Sequence, residues 1–399
     1  MNESEFESIV PYTDEEAVEA LARVSKHPAI PVISKYLFPD YPVGLLRSLL
    51  QSVTSVDEFQ RVVMLKVIAA IVDKTSAGVT YDGIENLQGI NGKFLLVSNH
   101  RDIILDPGIT QWILARNKIP MTEICVGSNL LSNPLVEDLL RSNRMIKVIR
   151  GISARELYMS SQFLSKYIRQ TITSGKSSIW VAQKEGRSKN GLDITEQGLL
   201  KMFDLSGEKG FENNFKELNV VPVSISYELE PCDAKKAREL YLRKVNGSYT
   251  KKKNEDLHSI LKGISQRKGG IHLSFGKPLD SADISLAASG SGNERYQILM
   301  SILDRRISEG YKLWKNNFIA YDLMTGTKKY SAEYDSDDQL KFLKYMEHKL
   351  GKLERSLDRD QLRDIFIHTY GNPVLMKEKF GLIKPKTFLE TLSSLRKGK

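Results

Sequence analysis

Apolar and polar residues are spaced differently before and after about residue 90. In the first part, apolar residues recur every three or four positions, which is typical of amphipathic helices. A capping box of Thr13 with Glu16 begins the first helix and Pro28 ends it. Further helices are predicted over residues 43–53 and 56–73. The second of these is apolar on nearly every side, which favours burial in a core over insertion into a membrane surface.

After residue 90, short apolar runs alternate with helical patterns, and each run predicts a strand. These runs are residues 94–98, 124–127, 146–149, 178–183, 220–227 and 271–275. A helix capped by Ser153 and Glu156 and ended by Gly175 separates the third run from the fourth. Strand–helix alternation predicts an α/β fold with a mostly parallel central sheet flanked by helices. Binding sites in such sheets lie at the carboxyl ends of the strands.

The pattern divides the chain into three regions: a helical N-terminal region (1–80), an α/β domain (81–330) and a helical C-terminal region (331–399). Within the α/β domain, residues 232–268 form a basic insertion. We expect a solvated loop there, or an exposed helix–turn–helix, or a mobile flap that faces lipid head groups. In the C-terminal region the spacing predicts one long amphipathic helix over 337–357 and a second near 361–370. Packing against the rest of the chain is favoured for them over dimerisation or membrane contact.

Composition narrows the cellular setting. The chain has 399 residues, of which 41% are hydrophobic, enough for a substantial core. Its two cysteines are too few for a disulfide framework, which favours a reduced, cytoplasmic protein. The acidic N-terminus lacks the apolar run of a secretory signal, and no segment reaches the about 20 apolar residues of a membrane span.

Charge is unevenly distributed. The net charge is +9, although the first 60 residues hold ten acidic and only four basic side chains. The basic remainder would attract an anionic membrane surface or an acidic partner, but a solvated basic surface is equally common. For lipid contact, the better candidate is the segment 36–42 with the leucine pairs that follow it, Leu45 with Leu46 and Leu49 with Leu50.

Chemistry-bearing side chains follow the first predicted strand. His100 comes directly after it, with Asp102 and Asp106 within about a turn. A histidine held by a carboxylate can take a proton from an alcohol near neutral pH. Either carboxylate could hold His100. Ser98 and Asn99 could be turn-forming residues or oxyanion donors.

Cationic residues follow other predicted strands at the same edge. Guanidinium groups bind phosphate or carboxylate through two parallel hydrogen bonds. The candidate anion ligands are Arg101, Lys147, Arg150 and Arg187, although Arg101 and Lys147 fit surface ion pairs equally well. Glu185 is expected to orient an arginine or an acceptor hydroxyl, and Gly186 to let the backbone approach a ligand. A base beside an anion site suits acyl transfer to an anionic alcohol.

Other chemistries lack motifs. The sequence contains neither a phosphate-binding P-loop nor the nucleophile elbow of serine hydrolases. Cys125 and Cys232 have no metal-ligand partners at a useful spacing, so we expect neither metal nor cofactor. A nucleic-acid role would depend on charge alone and is not expected.

Together the motifs resemble the glycerolipid acyltransferases (the phospholipid/glycerol acyltransferase family), and most of all bacterial 1-acyl-glycerol-3-phosphate acyltransferases. The similarity covers roughly residues 85–280. The matching blocks, in order, are Asn99 to Asp106, Lys147 to Arg150, Glu185 to Ser188, Val221 to Val223 and Phe275 to Leu279.

The resemblance implies a fatty acyl transfer from acyl-coenzyme A or acyl-carrier protein to a hydroxyl, with His100 as base. Lysophosphatidate is the first acceptor expected, followed by glycerol 3-phosphate and an amino-acid lipid. Alternatives on the same fold are a lipid hydrolase and a non-catalytic lipid-binding protein. The family also implies a peripheral location on the inner face of the cell membrane.

Two departures from the family pattern concern the site. The family has four residues between histidine and aspartate, whereas five separate His100 from Asp106. The family also has a residue between the glycine and the arginine of the third block, where Gly186 directly precedes Arg187. Asp106 is favoured over Asp102 because Asp-Pro after an apolar run matches soluble plant members of the family. A bulge would absorb the extra residue.

Overall fold

The structure of the chain is a computed structural model that describes residues 9–131, 133–151, 153–252 and 254–385. The acidic N-terminal residues 1–8 and the end of the predicted C-terminal region, 386–399, lie outside the described residues. No helix in the described ranges is both long and apolar enough to span a bilayer.

Helices form the start of the chain, as predicted. They are α1 (Asp14–Ser25), α2 (Ala29–Leu37), α3 (Leu45–Ser52), α4 (Val56–Glu58) and α5 (Leu65–Thr75), with a π-helical segment, Phe59–Met64, between the last two. The predicted capping box of Thr13 with Glu16 is present. The apolar helix predicted over 56–73 corresponds to α4, the π-helical segment and α5. Its residues Ile68, Ile71 and Val72 are buried in the core under the sheet.

Strands and helices then alternate. The strands are β1 (Ser76–Asp82), β2 (Leu95–Ser98), β3 (Glu123–Gly127), β4 (Met145–Val148), β5 (Ile179–Ala182), β6 (Val220–Tyr227) and β7 (Gly269–Phe275). The helices between β1 and β6 are α6 (Glu85–Gln88), α7 (Leu105–Arg116), α8 (Pro134–Arg141), α9 (Ala154–Thr173), α10 (Gln197–Asp204) and α11 (Phe211–Lys216), with a 3-10 turn at Ser128–Leu131. Each predicted strand is found within two residues of its expected bounds.

The seven strands form one sheet in the order β1-β7-β6-β2-β5-β3-β4. The five strands from β6 to β4 are parallel to one another, β7 is antiparallel to β6, and β1 is parallel to β7. Alternate residues of β2 pack on opposite faces: Leu96 lies in the core under α5 and α7, whereas Leu95 and Val97 lie in the core under α9 and α10. The prediction of a mostly parallel sheet covered by helices is confirmed.

Between β6 and residue 385, the described residues form helices and connecting loops apart from β7. It comprises α12 (Asp233–Asn246), α13 (Glu255–Ser265), α14 (Ser281–Ala288), α15 (Glu294–Gly310), α16 (Lys315–Thr325), a 3-10 turn at Ser331–Glu333, α17 (Ser336–Leu350) and α18 (Arg359–Lys379). The basic insertion is thus a pair of helices and not a solvated loop. Ala237 of α12 is buried in one cluster with Phe342 of α17 and Phe366 of α18. The C-terminal helices therefore pack on the insertion.

Two helix predictions had the wrong length. The predicted helix 337–357 ends at Leu350, after which Gly351 caps it. The predicted helix 361–370 continues to Lys379 through Pro373. A proline inside a helix removes one backbone hydrogen bond. The carbonyl of Thr369, four residues before Pro373, therefore lacks its usual partner within α18.

Candidate active site

His100 lies at the carboxyl end of β2, in the turn that leads into α7. Its Nδ1 is 2.8 Å from Oδ2 of Asp106, which lies in the first turn of α7. The main-chain N–H of Asp102 donates to the same carboxylate oxygen at 2.8 Å, and so does the N–H of Arg101. The Tyr227 hydroxyl, at the end of β6, donates to the other oxygen at 2.7 Å. Both oxygens of this buried carboxylate therefore accept hydrogen bonds, and the helix N-terminus lies beside them.

Asp102 has a different position from Asp106. Its Oδ1 accepts from the main-chain N–H groups of Ile104 and Leu105 at 3.0 and 2.9 Å. Ile104 is the N-cap position and Leu105 the first residue of α7, so the Asp102 carboxylate caps the start of this helix. Of the two carboxylates weighed from the sequence, the one in contact with His100 is Asp106, and the five-residue spacing is accommodated in the turn.

His100 is also packed against an aromatic wall. The Trp180 ring of β5 meets the imidazole edge to face, with centroids 5.7 Å apart. Because Nδ1 is occupied by Asp106, Nε2 is left for the cleft that His100 lines. An Nδ1–H that donates to Asp106 leaves the lone pair on Nε2, as a general base requires.

The cleft in front of His100 has an apolar half and a basic half and encloses about 790 Å³, including space open to solvent. Its apolar side chains come from α7, α8, β3, β4 and the 3-10 turn after β3. They include Ile104, Pro107, Val126, Leu130, Leu140 and Met145. Such a wall suits a hydrocarbon chain. Cys125 also lines the cleft, but burial raises the pKa of its thiol to about 12, which leaves no thiolate nucleophile at neutral pH.

The basic half contains two of the predicted cations. Arg187 lines the cleft, and its Nη1 is buried without a hydrogen-bond partner among the described residues. Arg150 lies across the end of β3, where a Cβ at Gly127 would come within 2.8 Å of its guanidinium. The glycine therefore makes room for the arginine. A buried, unpaired guanidinium N–H beside a second arginine suits an anionic ligand.

Glu185 and Gly186 belong to the same loop as Arg187. The Glu185 side chain is 67% exposed and lies 3.5 Å from Nη1 of Arg150. Gly186 lines the cleft with a φ of +70°. The expectation that Glu185 orients an arginine therefore has a contact to support it.

Arg101 and Lys147 lie elsewhere than expected, and neither lines the cleft. Arg101 is fully buried and donates to Asp193 at 2.6 Å and to Glu230 at 3.2 Å. Burial alone would lower its pKa, but these carboxylates and Tyr311 raise it instead. A guanidinium with no exposed surface has no route to a substrate, so its assignment as a ligand is corrected to an internal ion pair. Lys147 is 3.7 Å from Glu137 on α8, which fits the surface ion-pair alternative.

Several residues at or behind the cleft were not among the predicted site residues. Trp180 and Tyr227 reach His100 and Asp106 from other strands, and their partners are set by the strand order. Lys251, Asp256 and Asn129 meet at the rim, where Asp256 accepts from Lys251 at 2.6 Å and from Asn129 at 2.9 Å. Burial alone would raise the pKa of Asp256, but these partners and Arg187 lower it. The basic insertion thus contributes one wall of the cleft.

The site can act as a base next to an anion-binding wall and an apolar wall. Within the described ranges, no three His, Cys, Asp or Glu side chains are grouped as a metal site. Ser98 and Asn99 are both buried, and their side chains bond within the protein, which does not fit a role as oxyanion donors. The Ser98 hydroxyl donates to the Asn99 carbonyl at 2.7 Å, and the Asn99 amide binds the main chain of Ile225. They shape the turn that carries His100.

Comparison with known proteins places this site in a matched segment. Residues 78–227 match the family model described as Acyltransferase. Glycerol-3-phosphate acyltransferases of Pseudomonas entomophila and Pseudomonas putida are each 26% identical over 212 residues, which cover 52% of this chain and 24% of the relative. The alignment therefore spans about a quarter of the length of these relatives. The solved 1-acyl-sn-glycerophosphate (LPA) acyltransferase PlsC from Thermotoga maritima aligns with a TM-score of 0.39 and 14% identity, over 74% of this chain and 97% of that chain.

Proposed function

We propose that this chain, in which residues 78–227 form an acyltransferase domain, transfers a fatty acyl group from a thioester to a hydroxyl of a phosphorylated glycerolipid precursor. The observation that carries the proposal is the His100–Asp106 pair, 2.8 Å apart, at a cleft with one apolar and one basic wall. An acyl chain fits the apolar wall, and the phosphate of the acceptor fits Arg187 and Arg150. The acyl chain of the donor and the phosphate of the acceptor therefore each have a complementary surface beside His100.

In the proposed reaction, Nε2 of His100 takes the proton of the acceptor hydroxyl as its oxygen attacks the thioester carbonyl carbon. Asp106 stabilises the imidazolium that forms. The tetrahedral intermediate collapses with cleavage of the carbon–sulfur bond. The leaving thiolate takes this proton from Nε2. His100 is thereby neutral again, and the donor is released as a free thiol. Neither a metal nor a cofactor enters this sequence.

Lysophosphatidate is the acceptor we propose first, because the apolar wall beside the arginines can also receive an acceptor's acyl chain. Glycerol 3-phosphate is the second candidate, and the names of the Pseudomonas relatives favour it. The donor is acyl-coenzyme A or acyl-carrier protein. Both present the thioester on a phosphorylated pantetheine arm, which the basic rim at Lys251 would attract.

We further propose that the enzyme works on a membrane surface. Five large apolar side chains on α2 and the segment after it are exposed, with Lys35 and Lys74 nearby: Val32 (71%), Ile33 (37%), Tyr36 (40%), Tyr41 (60%) and Val43 (49%). Neighbouring cations would add attraction to anionic lipid. Leu46 and Leu50, which the sequence suggested for lipid contact, are instead buried in the N-terminal core, because they lie on the inner face of α3.

The test is release of free thiol from acyl-coenzyme A and from acyl-carrier protein, with lysophosphatidate supplied in mixed vesicles or glycerol 3-phosphate supplied in solution. We expect acylated acceptor from the wild type and from His348→Ala, an exposed-histidine control, and none from His100→Ala. Product from His100→Ala at the wild-type rate would exclude His100 as the base. Thiol release without an acylated acceptor would indicate hydrolysis.

A further inference from the structure

The two loops that form the site are held from outside the matched acyltransferase segment. The His loop is Asn99–Asp106, after β2, and the arginine loop is Glu185–Gly191, after β5. They meet where the Ser188 N–H donates to the His100 carbonyl at 2.7 Å. Apart from Asp193, the anchors described below belong to α12, α18 and the segment before α12, all of which follow residue 227.

Lys236 of α12 anchors the His loop. Its Nζ donates to the main-chain carbonyl of Arg101 at 2.8 Å and to Oε1 of Glu230 at 2.5 Å. The other oxygen of Glu230 accepts from the Arg101 guanidinium. The residue after His100 is therefore bound at both its main chain and its side chain by one buried ion pair.

A carboxylate and an amide complete this anchor on the opposite side of His100. Asp193 accepts from Arg101 at 2.6 Å and from the Asn99 amide at 2.9 Å through one oxygen. Lys236 and Arg101 thus balance the charges of Glu230 and Asp193 in a site that is at most 5% exposed at any of these residues. Buried charges of this kind hold their partners in one arrangement.

The arginine loop is anchored on α18, next to the proline inside that helix, Pro373. The Asn372 amide donates to the Asn190 carbonyl at 2.8 Å. The Thr369 hydroxyl lies 3.2 Å from the Lys189 carbonyl and 2.9 Å from the Ile365 carbonyl of its own helix. Gly191, with a φ of +80°, lies so close to the Thr369 carbonyl that a Cβ there would be 2.2 Å from its oxygen. Pro373 leaves that carbonyl without a partner in the helix, and the loop packs against it.

We propose that Lys236 and Asn372 are positioning residues: Lys236 aligns the base, and Asn372 aligns the loop that carries Arg187. The inference deepens the proposed function and rests on it for its kinetic part. It predicts two separable effects, because the two anchors act on different loops. Loss of the Lys236 anchor lowers kcat, whereas loss of the Asn372 anchor raises the KM of the anionic acceptor.

The variants must leave the buried charges balanced. Lys236→Met alone would leave an excess carboxylate in the interior, which unfolds many proteins. The double variant Lys236→Met with Glu230→Gln removes one charge of each sign and keeps the side-chain volumes similar. Lys244→Met on the same helix, where the side chain is exposed, is its control. For Asn372→Ala the control is His368→Ala on α18, whose side chain is 41% exposed.

Steady-state kinetics of the full chain, with lysophosphatidate as acceptor, measure the two effects, on kcat and on the KM of the acceptor. We expect the double variant to lose about 10- to 100-fold in kcat at unchanged KM, since a misplaced base costs that much. We expect Asn372→Ala to raise the acceptor KM about 3- to 10-fold at unchanged kcat, the equivalent of one hydrogen bond. Both controls should match the wild type. Wild-type kcat and KM per folded molecule in both variants would overturn the proposal.

A second measurement does not depend on activity. Amide hydrogen exchange should become faster in residues 99–106 of the double variant and in residues 186–193 of Asn372→Ala, and in neither control. If the wild type transfers no acyl group, the proposed function fails while this measurement still decides the positioning. Unchanged exchange in both loops would overturn it whatever the activity.

Discussion

The Tyr227 hydroxyl donates a hydrogen bond of 2.7 Å to the oxygen of Asp106 that does not face His100. Burial, and the charge of Asp106, raise the pKa of Tyr227 well above its usual value, so it stays a donor at any pH at which the protein works. With the two main-chain N–H groups on the other oxygen, the carboxylate is fully satisfied before a substrate arrives. Its direction toward His100 is therefore fixed in advance.

Asp106→Asn should abolish most activity while Asp102→Asn should not. The asparagine amide at 106 would favour the wrong imidazole tautomer, which we expect to lower kcat by about 10²- to 10⁴-fold. An asparagine at 102 keeps the oxygen that caps α7, so kcat should change less than about threefold. Steady-state thiol release measures both variants. A more active Asp106→Asn than Asp102→Asn would reverse the assignment.

Arg187→Gln should weaken binding of the acceptor. Loss of a charge-assisted hydrogen bond costs about 1.5–3 kcal/mol, which corresponds to a KM about 10- to 100-fold higher for a phosphorylated acceptor. Arg155→Gln removes an equal charge from the exposed first turn of α9 and should leave the KM unchanged. Acceptor titrations at saturating donor measure it. An unaltered KM in Arg187→Gln would remove this arginine from the site.

Asp304→Asn should stabilise the protein at neutral pH. Burial raises the pKa of Asp304 to about 6, even though Thr195 donates two hydrogen bonds to it. The folded state therefore binds the proton more tightly than the unfolded state, whose aspartate has a pKa near 3.9. This group's contribution to stability is complete below about pH 4 and is lost as the pH rises to 6.

The asparagine at 304 cannot ionise and still accepts from Thr195. We expect the variant to exceed the wild type by about 1–3 kcal/mol in free energy of unfolding at pH 7.5, with no difference at pH 4. Denaturant titrations at the two pH values measure this. Asp337→Asn, at a 69% exposed side chain, is the control. A difference independent of pH would contradict the assignment.

Val32→Ser with Tyr41→Ser should reduce binding to anionic vesicles. Each apolar side chain buried in lipid contributes about 1.5–3 kcal/mol, so we expect a partition coefficient at least about 10-fold lower. Leu286→Ser removes a similarly exposed apolar side chain (58%) from α14 and is the matched control. Vesicle sedimentation measures all three proteins. Equal losses in both would mean that exposed apolar area in general, and not this surface, drives binding.

The sequence predicted the sheet well because its strands are buried. In β2 and β6 every residue is buried, so apolar residues predominate in both strands instead of alternating with charged ones. β1 was missed since most of its residues are exposed at the edge of the sheet. The sequence also could not show that β7 runs opposite to β6, because a strand's direction follows from its connections and not from its composition.

In the site, the sequence predicted contacts between residues that are close along the chain, but not contacts between residues that are far apart. His100 and Asp106 lie on one turn, so a motif brings them to notice together. Arg101 carries the same charge as Arg187, and only its burial between Asp193 and Glu230 separates an internal ion pair from a cleft ligand. Tyr227 and Trp180 reach the site through the strand order, which no spacing along the chain encodes.

The contact between Gly191 and the Thr369 carbonyl joins residues 178 positions apart and also sets an order of events during synthesis. The matched acyltransferase segment leaves the ribosome more than a hundred residues before Asn372 does. A nascent chain can therefore complete the central strands early, but its arginine loop receives these hydrogen bonds only after α18 has been translated. Until then, the arginine loop of the nascent chain lacks its contacts with α18.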